Sequence, residues 1–280
     1  MITQNRPWNT ANRIGLVDFA GGTAVEICSG ASALALAMVV GTRVGFGKDP
    51  MRPHNLTLVM LGAGLLWFGW FGFNAGSALR ADHTAAVVFV TTLCAGAAGS
   101  LGWLATERLR DGHATSLGAA SGMVAGLVAI TPSCSSLSPL GALVMGAAAG
   151  VVCALAIGLK YRFGYDDSLD VVGVHLVGGL VGTFGIGLLA TAAAPAGVDG
   201  LFYGGGVDQL GKQVLSGVVV LLYAFVVSGI IGLVVDRFLG LRVDEEHEVT
   251  GIDLVIHAET AYDLHATAGT RTTGFLGHRD

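Results

Sequence analysis

The sequence predicts an all-α polytopic membrane protein, and three observations carry this prediction. The mean hydropathy is +0.68. Apolar residues make up 52% of the chain and charged residues 12%, against about 25% charge in an ordinary soluble domain. About seven apolar stretches approach the ~20 residues that a bilayer requires, and the 44 glycines suit membrane helices, which glycine allows to approach closely.

The predicted spans are joined by short polar linkers and run over residues 16–41, 55–78, 84–106, 115–131, 137–160, 169–192 and 213–238. The fourth ends at Thr131, because proline at the next position pushes that residue out of helical geometry. Glycines four residues apart, as at Gly118, Gly122 and Gly126, predict tight packing between helices. These features divide the chain into a polar segment 1–15, a transmembrane domain 16–240 and a tail 241–280.

The distribution of Lys and Arg predicts the orientation in the membrane. The linkers after the first, third and fifth spans, with the end of the seventh, hold nine of these residues: Arg43, Lys48, Arg52, Arg108, Arg110, Lys160, Arg162, Arg237 and Arg242. The alternate linkers hold only Arg80 and Lys212. Because basic linkers stay in the cytoplasm, we expect a cell-membrane protein with the segment 1–15 outside and the tail 241–280 in the cytoplasm.

Several functional classes have no support in the sequence. The chain has no basic patch interleaved with aromatic residues, so we expect no nucleic-acid partner. It has no nucleophile elbow, phosphate loop or metal-ligand spacing, so we expect no enzyme activity, no cofactor and no metal. Its four cysteines fall mostly in apolar segments and are expected to be buried thiols.

Two apolar stretches carry ionisable residues in the same frame. Asp18 is followed eight residues later by Glu26, and Asp167 is followed eight residues later by His175. An ionisable group in hydrocarbon is costly, and it therefore marks an ion, proton or substrate path by default. A structural hydrogen bond for Glu26 and His175, and helix capping for the two aspartates, remain open as alternatives.

Residues 65–78 combine aromatic and polar side chains at helical spacing. Trp70, Phe73, Asn74 and Ser77 recur every three or four residues, so they share one helix face. Such a face binds a small cation through cation–π contact and hydrogen bonds. The alternative is an aromatic belt at the membrane interface.

Five motifs resemble the ammonium transporter (Amt/Mep/Rh) family, in the family's order: DFAGGTAVE, GWFGFNAGS, GLVAITP, GYDDSLDVVGVH and GIDLVIHAETAYD. The resemblance runs from about residue 16 to residue 263. It implies spans 5–11 of an eleven-span fold built from two inverted repeats, assembled as a trimer. It also implies ammonium or ammonia, and methylammonium, as substrate, membrane lipid as surroundings, and a PII-type regulatory protein at the cytoplasmic tail.

The resemblance assigns roles residue by residue. His175 matches the second histidine of the family's pair, and Glu26 stands where most members have the first. Phe73 matches a gating phenylalanine, Ser77 the serine of the external cation site and Trp70 a pore-lining tryptophan. Asp18 matches the acid below the recruitment site, Asp167 its counterpart in the second repeat, and Thr131 a pore-side threonine. Asn74 joins the recruitment group by its place on the aromatic face.

The sequence begins just before the family's fifth span, so the resemblance implies that one pore wall is open. From this we expect a truncated product, a misplaced start or a chain that requires a partner. The alternatives to ammonium transport are a transport-dead paralogue and an ammonium sensor or regulatory subunit that acts through its tail.

Overall fold

The structure is a computed structural model that describes residues 14–260 and residue 262. Most of the predicted polar segment 1–15, and the tail at 261 and beyond 262, lie outside the described residues. The molecule forms two compact units that divide between Leu241 and Arg242.

The first unit consists of helices. Their bounds are α1 (Thr23–Val40), α2 (Leu56–Gly76), α3 (His83–Asp111), α4 (Ser116–Ser133), α5 (Pro139–Ala156), α6 (Leu159–Phe163), α7 (Val172–Leu189) and α8 (Asp208–Leu239). Seven segments are long and apolar enough to cross a membrane, with α5 and α6 forming one of them. The predicted all-helical class and the number of spans are therefore confirmed.

The core is formed by α3, α4, α5 and α7, with α4 the most buried of the spans. Glycines allow these helices to approach until backbones touch. A Cβ on Gly126 or Gly146 would collide with the carbonyl oxygen of Ala95, and one on Gly150 would collide with that of Gly99. The small-residue faces predicted from spacing are thus the faces at which α3, α4 and α5 meet.

Polar side chains cap several of these helices. Asn55, Asp82, Thr115 and Ser138 each accept a hydrogen bond from a backbone N–H in the first turn of the helix that follows. At Asp82 the N–H of Ala85 holds the pKa of the carboxyl below its ordinary value. The caps place helix starts at the polar linkers.

Several predicted span boundaries are wrong. The fourth span was expected to end at Thr131, but α4 continues to Ser133 with Pro132 inside the helix, and the seventh was expected from residue 213, but α8 begins at Asp208. The first span was expected from residue 16, but α1 begins at Thr23, and Asp18 lies in a non-helical loop over residues 15–22. Gly15 and Gly21 have φ of 80° and 84°, a left-handed conformation that interrupts a helix. The sixth span was expected from 169 but begins at Val172, after Asp170 at φ 58°. The eight residues from Asp18 to Glu26, and from Asp167 to His175, are therefore partly loop.

The second unit, described up to residue 260 and at 262, contains the short helix α9 (Glu245–Thr250) and a π-helical turn, Asp253–His257. Arg242 Nη2 lies 2.7 Å from Glu248 Oε2 within it.

Candidate functional site

Glu26 and His175 meet inside the membrane domain. Glu26 Oε2 lies 2.7 Å from His175 Nδ1, and their side chains are 4% and 29% exposed. Each residue lies in a π-helical turn at the start of its helix, Thr23–Ile27 in α1 and Val172–Leu176 in α7. Such turns are rare and recur at functional sites, because one extra residue per turn changes the direction of a side chain.

The two helices cross through reciprocal glycines. A Cβ on Gly30, four residues after Glu26, would collide with the backbone nitrogen of Leu176. A Cβ on Gly179, four residues after His175, would lie 3.0 Å from Cβ of Glu26. Small residues at these two positions therefore let the Glu26–His175 contact form.

Asp18 and Asp167 both accept backbone N–H groups at the starts of these helices. Asp18 Oδ2 accepts the N–H of Thr23 at 3.0 Å. Asp167 Oδ1 accepts from Val171 and its Oδ2 from Val172, at 2.9 and 2.8 Å. The capping geometry that the sequence left open is present at both positions, while Oδ1 of Asp18 has no hydrogen-bond partner among the described residues.

A groove of about 400 Å³ opens beside Glu26. It is lined by Val25, Glu26, Leu65, Leu66, Gly69, Trp70 and Phe73. Trp70 and Phe73 meet edge to face, with ring centroids 6.0 Å apart. An aromatic pair and one carboxylate in apolar walls form a site suited to a small cation.

Three further predicted site residues, Thr131, Asn74 and Ser77, do not line this groove. Thr131 Oγ1 accepts the N–H of Trp70 at 2.8 Å and fixes the indole ring. Asn74 is fully buried and donates to Thr92 at 3.1 Å. Ser77 donates to the carbonyl oxygen of Phe73 at 2.8 Å.

The orientation of the Asn74 amide is determined by its neighbours. Thr92 gives its only hydroxyl proton to the carbonyl oxygen of Val88, at 2.7 Å. Asn74 must therefore donate to Thr92 through its NH₂ group. Its Oδ1 is a buried acceptor without a hydrogen-bond partner among the described residues.

Two polar residues that the sequence reasoning missed hold the loops before α1 and α7. Lys160 was counted only as a linker charge, yet it is 7% exposed and its Nζ lies 2.7 Å from Asp170 Oδ1. Gln213, fully buried in α8, bonds to the backbone of Val17. The signal available in the sequence was a pair of glutamines, Gln209 and Gln213, spaced one helical turn apart in an apolar helix.

Comparison with known proteins identifies the family. The model of the Ammonium Transporter Family matches residues 2–262. The chain belongs to the ammonium transporter family. An ammonium transporter of Mycobacterium tuberculosis is 59% identical over 266 residues, which cover 93% of this chain and 56% of that protein. One of Bacillus subtilis is 44% identical over 254 residues, covering 89% and 62%.

Solved structures are similar to this member of the ammonium transporter family in fold. A structure titled Sensor Amt Protein gives a TM-score of 0.81 at 30% identity and covers 90% of this chain and 63% of that chain. Candida albicans Mep2 gives 0.77 at 34% identity, covering 85% and 55%. The predicted family and the multi-pass membrane character are therefore confirmed, and the family's name describes transport, in agreement with the expected lack of an enzyme reaction.

The chain spans less than two thirds of the length of the curated relatives it matches, 56% of the M. tuberculosis protein and 62% of the B. subtilis protein.

Proposed function

We propose that the chain transports ammonium or ammonia across a cell membrane, with Glu26 and His175 as its proton-relay pair. The observation that carries the proposal is the 2.7 Å contact between these two side chains beside an apolar, aromatic-walled groove. Family membership supports ammonium as the substrate, with methylammonium as a close analogue.

The charge of the pair explains how it would act. With a carboxylate on Glu26 and a neutral imidazole on His175, the pair carries one negative charge in apolar surroundings. A proton or a cation neutralises that charge, which lowers the cost of burial. Ammonium that gives its proton to His175 leaves an ion pair of zero net charge, and the ammonia that remains is a neutral molecule suited to an apolar path.

The aromatic face recruits the cation in this proposal. The rings of Trp70 and Phe73 attract ammonium and gate the groove. Asn74 and Ser77, on the same helix face, belong to this recruitment group and support it, because Asn74 bonds to Thr92 and Ser77 to the carbonyl oxygen of Phe73. Asp18 orients the cation from the loop before α1. Thr131 and Asp167 have supporting roles, because one fixes the Trp70 ring and the other the start of α7.

The distribution of basic residues supports an orientation with the loops between α1 and α2, between α3 and α4, and between α6 and α7 in the cytoplasm. The second unit then lies in the cytoplasm, where a PII-type protein would bind it. We also propose a homotrimer, surrounded by membrane lipid, from the resemblance to the family.

Uptake of labelled methylammonium, in cells that lack their own ammonium transporters, tests the proposed activity. We expect the chain to support saturable uptake, and His175→Ala and Glu26→Gln each to lower the maximal rate by about tenfold or more, as the loss of a proton-transfer group does. His113→Ala removes an exposed histidine and is the matched control, with uptake within about twofold of the unaltered chain. Surface quantities of every variant are compared by immunoblot.

Uptake that is unchanged in both His175→Ala and Glu26→Gln would overturn the relay. The Glu26→His variant restores the histidine pair common in the family and is expected to transport with altered selectivity. A chain that is abundant in the membrane and yet gives no uptake, with or without Glu26→His, would favour a transport-dead paralogue.

Ammonium sensing is the second candidate, and the similarity to the structure titled Sensor Amt Protein favours it. A sensor binds ammonium without net flux and passes the signal to a cytoplasmic partner through residues 242–280. Ammonium-dependent capture of a partner by the full chain, without methylammonium uptake, would support sensing over transport.

A further inference from the structure

Gln213 of α8 is a fully buried amide whose hydrogen-bonding groups are all used. Its Oε1 accepts the backbone N–H of Val17 at 2.9 Å and the side-chain amide of Gln209 at 3.0 Å. Its Nε2 donates to the carbonyl oxygen of Val17 at 2.8 Å and to that of Thr183 at 3.1 Å. Because the Val17 donor is a backbone N–H and both acceptors are carbonyls, only one orientation of the amide satisfies all four contacts.

These contacts close a ring through both helices of the proton-relay pair. Val17 precedes Asp18, whose Oδ2 accepts the N–H of Thr23 in α1. The Thr23 hydroxyl lies 2.9 Å from the hydroxyl of Thr183 in α7, and the Thr183 carbonyl returns to Gln213. Gln213 therefore ties the loop 15–22, α1 and α7 together over 196 residues of sequence.

The loop 15–22 requires such a support because its residues are half-buried or buried and, up to Gly21, not helical. Its backbone polar groups have no helix ladder to join, and each one left unpaired in the membrane domain is costly. On the side away from Gln213, Phe19 and Ala20 donate to the carbonyl oxygens of Pro132 and Thr131 at the end of α4. Thr131 in turn holds the Trp70 ring that lines the groove.

We propose that Gln213 is a positioning residue for the cation site. Its hydrogen bonds to Val17 fix the loop 15–22. The loop in turn sets the direction of the Asp18 carboxylate and, through its hydrogen bonds to the end of α4, the positions of Thr131 and Trp70. Gln213 touches neither the groove nor the Glu26–His175 contact, which is held by the packing at Gly30 and Gly179. The consequence for transport rests on the proposed function; the control of loop geometry does not.

Two measurements on the full chain in lipid nanodiscs or proteoliposomes test the proposal. Gln213→Leu keeps the volume and removes every hydrogen bond, and Gln213→Glu keeps the length and the acceptor for Val17 if the leucine variant does not fold. The control is Ser216→Ala, because Ser216 is buried on the same helix one turn away and its hydroxyl has no hydrogen-bond partner among the described residues.

The first measurement is amide hydrogen exchange followed by mass spectrometry. We expect peptides over residues 14–27 to exchange about tenfold faster or more in Gln213→Leu, and less so in Gln213→Glu, because the Val17 N–H loses its partner. The same peptides are expected to be unchanged in Ser216→Ala. Unchanged exchange in both Gln213 variants overturns the proposal, whatever the chain transports.

The second measurement separates positioning from a merely structural role. We expect Gln213→Leu to raise the half-saturating methylammonium concentration by about tenfold, with the maximal rate per molecule within about twofold, since cation recruitment is disturbed and the relay is not. Faster exchange with an unaltered half-saturating concentration overturns the role in the cation site. If the unaltered chain gives no uptake, the proposed function fails, and faster exchange still supports Gln213 as the residue that positions the loop.

Discussion

The Asp18–Glu26 and Asp167–His175 regions are built on the same plan and supported by different chemistry. In each, an aspartate accepts N–H groups at the start of a helix, and a π-helical turn then directs an ionisable side chain toward the other region. Before α1 the carbonyl of Val17 is held by the neutral amide of Gln213. Before α7 the carbonyl of Asp167 accepts from the ammonium group of Lys160, at 3.1 Å.

The second region also has a further ionic contact. Arg43, just after α1, pairs with Asp166 at 2.7 Å, and its backbone N–H donates to the same carboxylate at 2.8 Å. This ionic side of the domain is the side on which the basic linkers lie. Similar backbone geometry is thus supported by charged groups at the face with the basic linkers and by a neutral, fully hydrogen-bonded amide at the other face.

Removing the ammonium group that supports the second region is expected to have the largest effect on stability. Lys160→Met removes the ammonium group that bonds both the Asp170 carboxylate and the carbonyl oxygen of Asp167. We expect a loss of about 3 kcal/mol in the free energy of unfolding, at the low end for one partner of a buried pair because Asp170 is partly exposed. Denaturant titration in detergent micelles measures it.

Arg162→Met is the control for Lys160→Met, because Arg162 lies on the same short helix, α6, and is exposed. Its expected effect is within about 0.5 kcal/mol. The double variant Lys160→Met/Asp170→Asn is expected to recover part of the loss. A single Lys160→Met variant as stable as the Arg162→Met control would show that the ionic support is dispensable.

The two reciprocal glycines, Gly30 and Gly179, have different surroundings. Gly30→Ala places a Cβ against the backbone nitrogen of Leu176, which cannot rotate away. We expect it to cost about 2 kcal/mol, as overpacking does, and to separate Glu26 from His175. A Cβ on Gly179 would lie 3.0 Å from Cβ of Glu26 and 3.1 Å from the backbone nitrogen of Ile27, without the collision that occurs at Gly30. Because this contact is milder and alanine gains helix propensity, we expect Gly179→Ala to change the free energy of unfolding by under about 1 kcal/mol.

Thermal unfolding of the two glycine variants in the same detergent measures this difference, with methylammonium uptake as a second readout. Equal effects of Gly30→Ala and Gly179→Ala would mean that the crossing is looser at Gly30 than the backbone contact indicates.

The sequence predicted the helices and the matching spacing of the ionisable residues better than it predicted the loops between the helices. Hydropathy and glycine spacing determine where α1 to α8 lie, because each span must bury its own backbone polar groups. The non-helical loop 15–22 depends instead on Gln213, 196 residues away, and on left-handed glycines at 15 and 21. Hydropathy carries no information on such distant partners, so the first span was predicted too long.

In the candidate site, too, some features were predicted from sequence spacing and others arise only from packing between helices. The spacing of Asp18, Glu26, Asp167 and His175 placed these residues in two matching regions, and the shared face of Trp70 and Phe73 follows from helical periodicity. The π-helical turns and the crossing at Gly30 arise from packing between α1 and α7, which local propensity does not specify. Lys160 resembled an ordinary linker charge because its partner, Asp170, adopts a left-handed turn that sequence rarely signals.

Substituting the two aspartates by asparagine is expected to change stability least, and to a different extent at each position. Asp167 uses both carboxylate oxygens for backbone N–H groups, so Asp167→Asn turns one acceptor into a donor and leaves an N–H unpaired. We expect it to lower the free energy of unfolding by about 1–2 kcal/mol. Asp18→Asn can keep its acceptor toward Thr23 and removes a charge buried in the membrane domain, which offsets the cost of an NH₂ group that has no acceptor, so we expect a net cost under about 0.5 kcal/mol.

The same two variants, Asp18→Asn and Asp167→Asn, are expected to differ in methylammonium uptake as well as in stability. Asp18→Asn removes the negative charge that we propose to orient the cation, and it is expected to reduce methylammonium uptake while the protein stays folded. Asp167→Asn is expected to reduce uptake only in proportion to the folded protein that remains. Because stability and uptake then change in opposite order for the two variants, paired denaturant and uptake measurements separate an aspartate that binds from one that supports. An Asp18→Asn variant with unaltered uptake would place both aspartates in the supporting role.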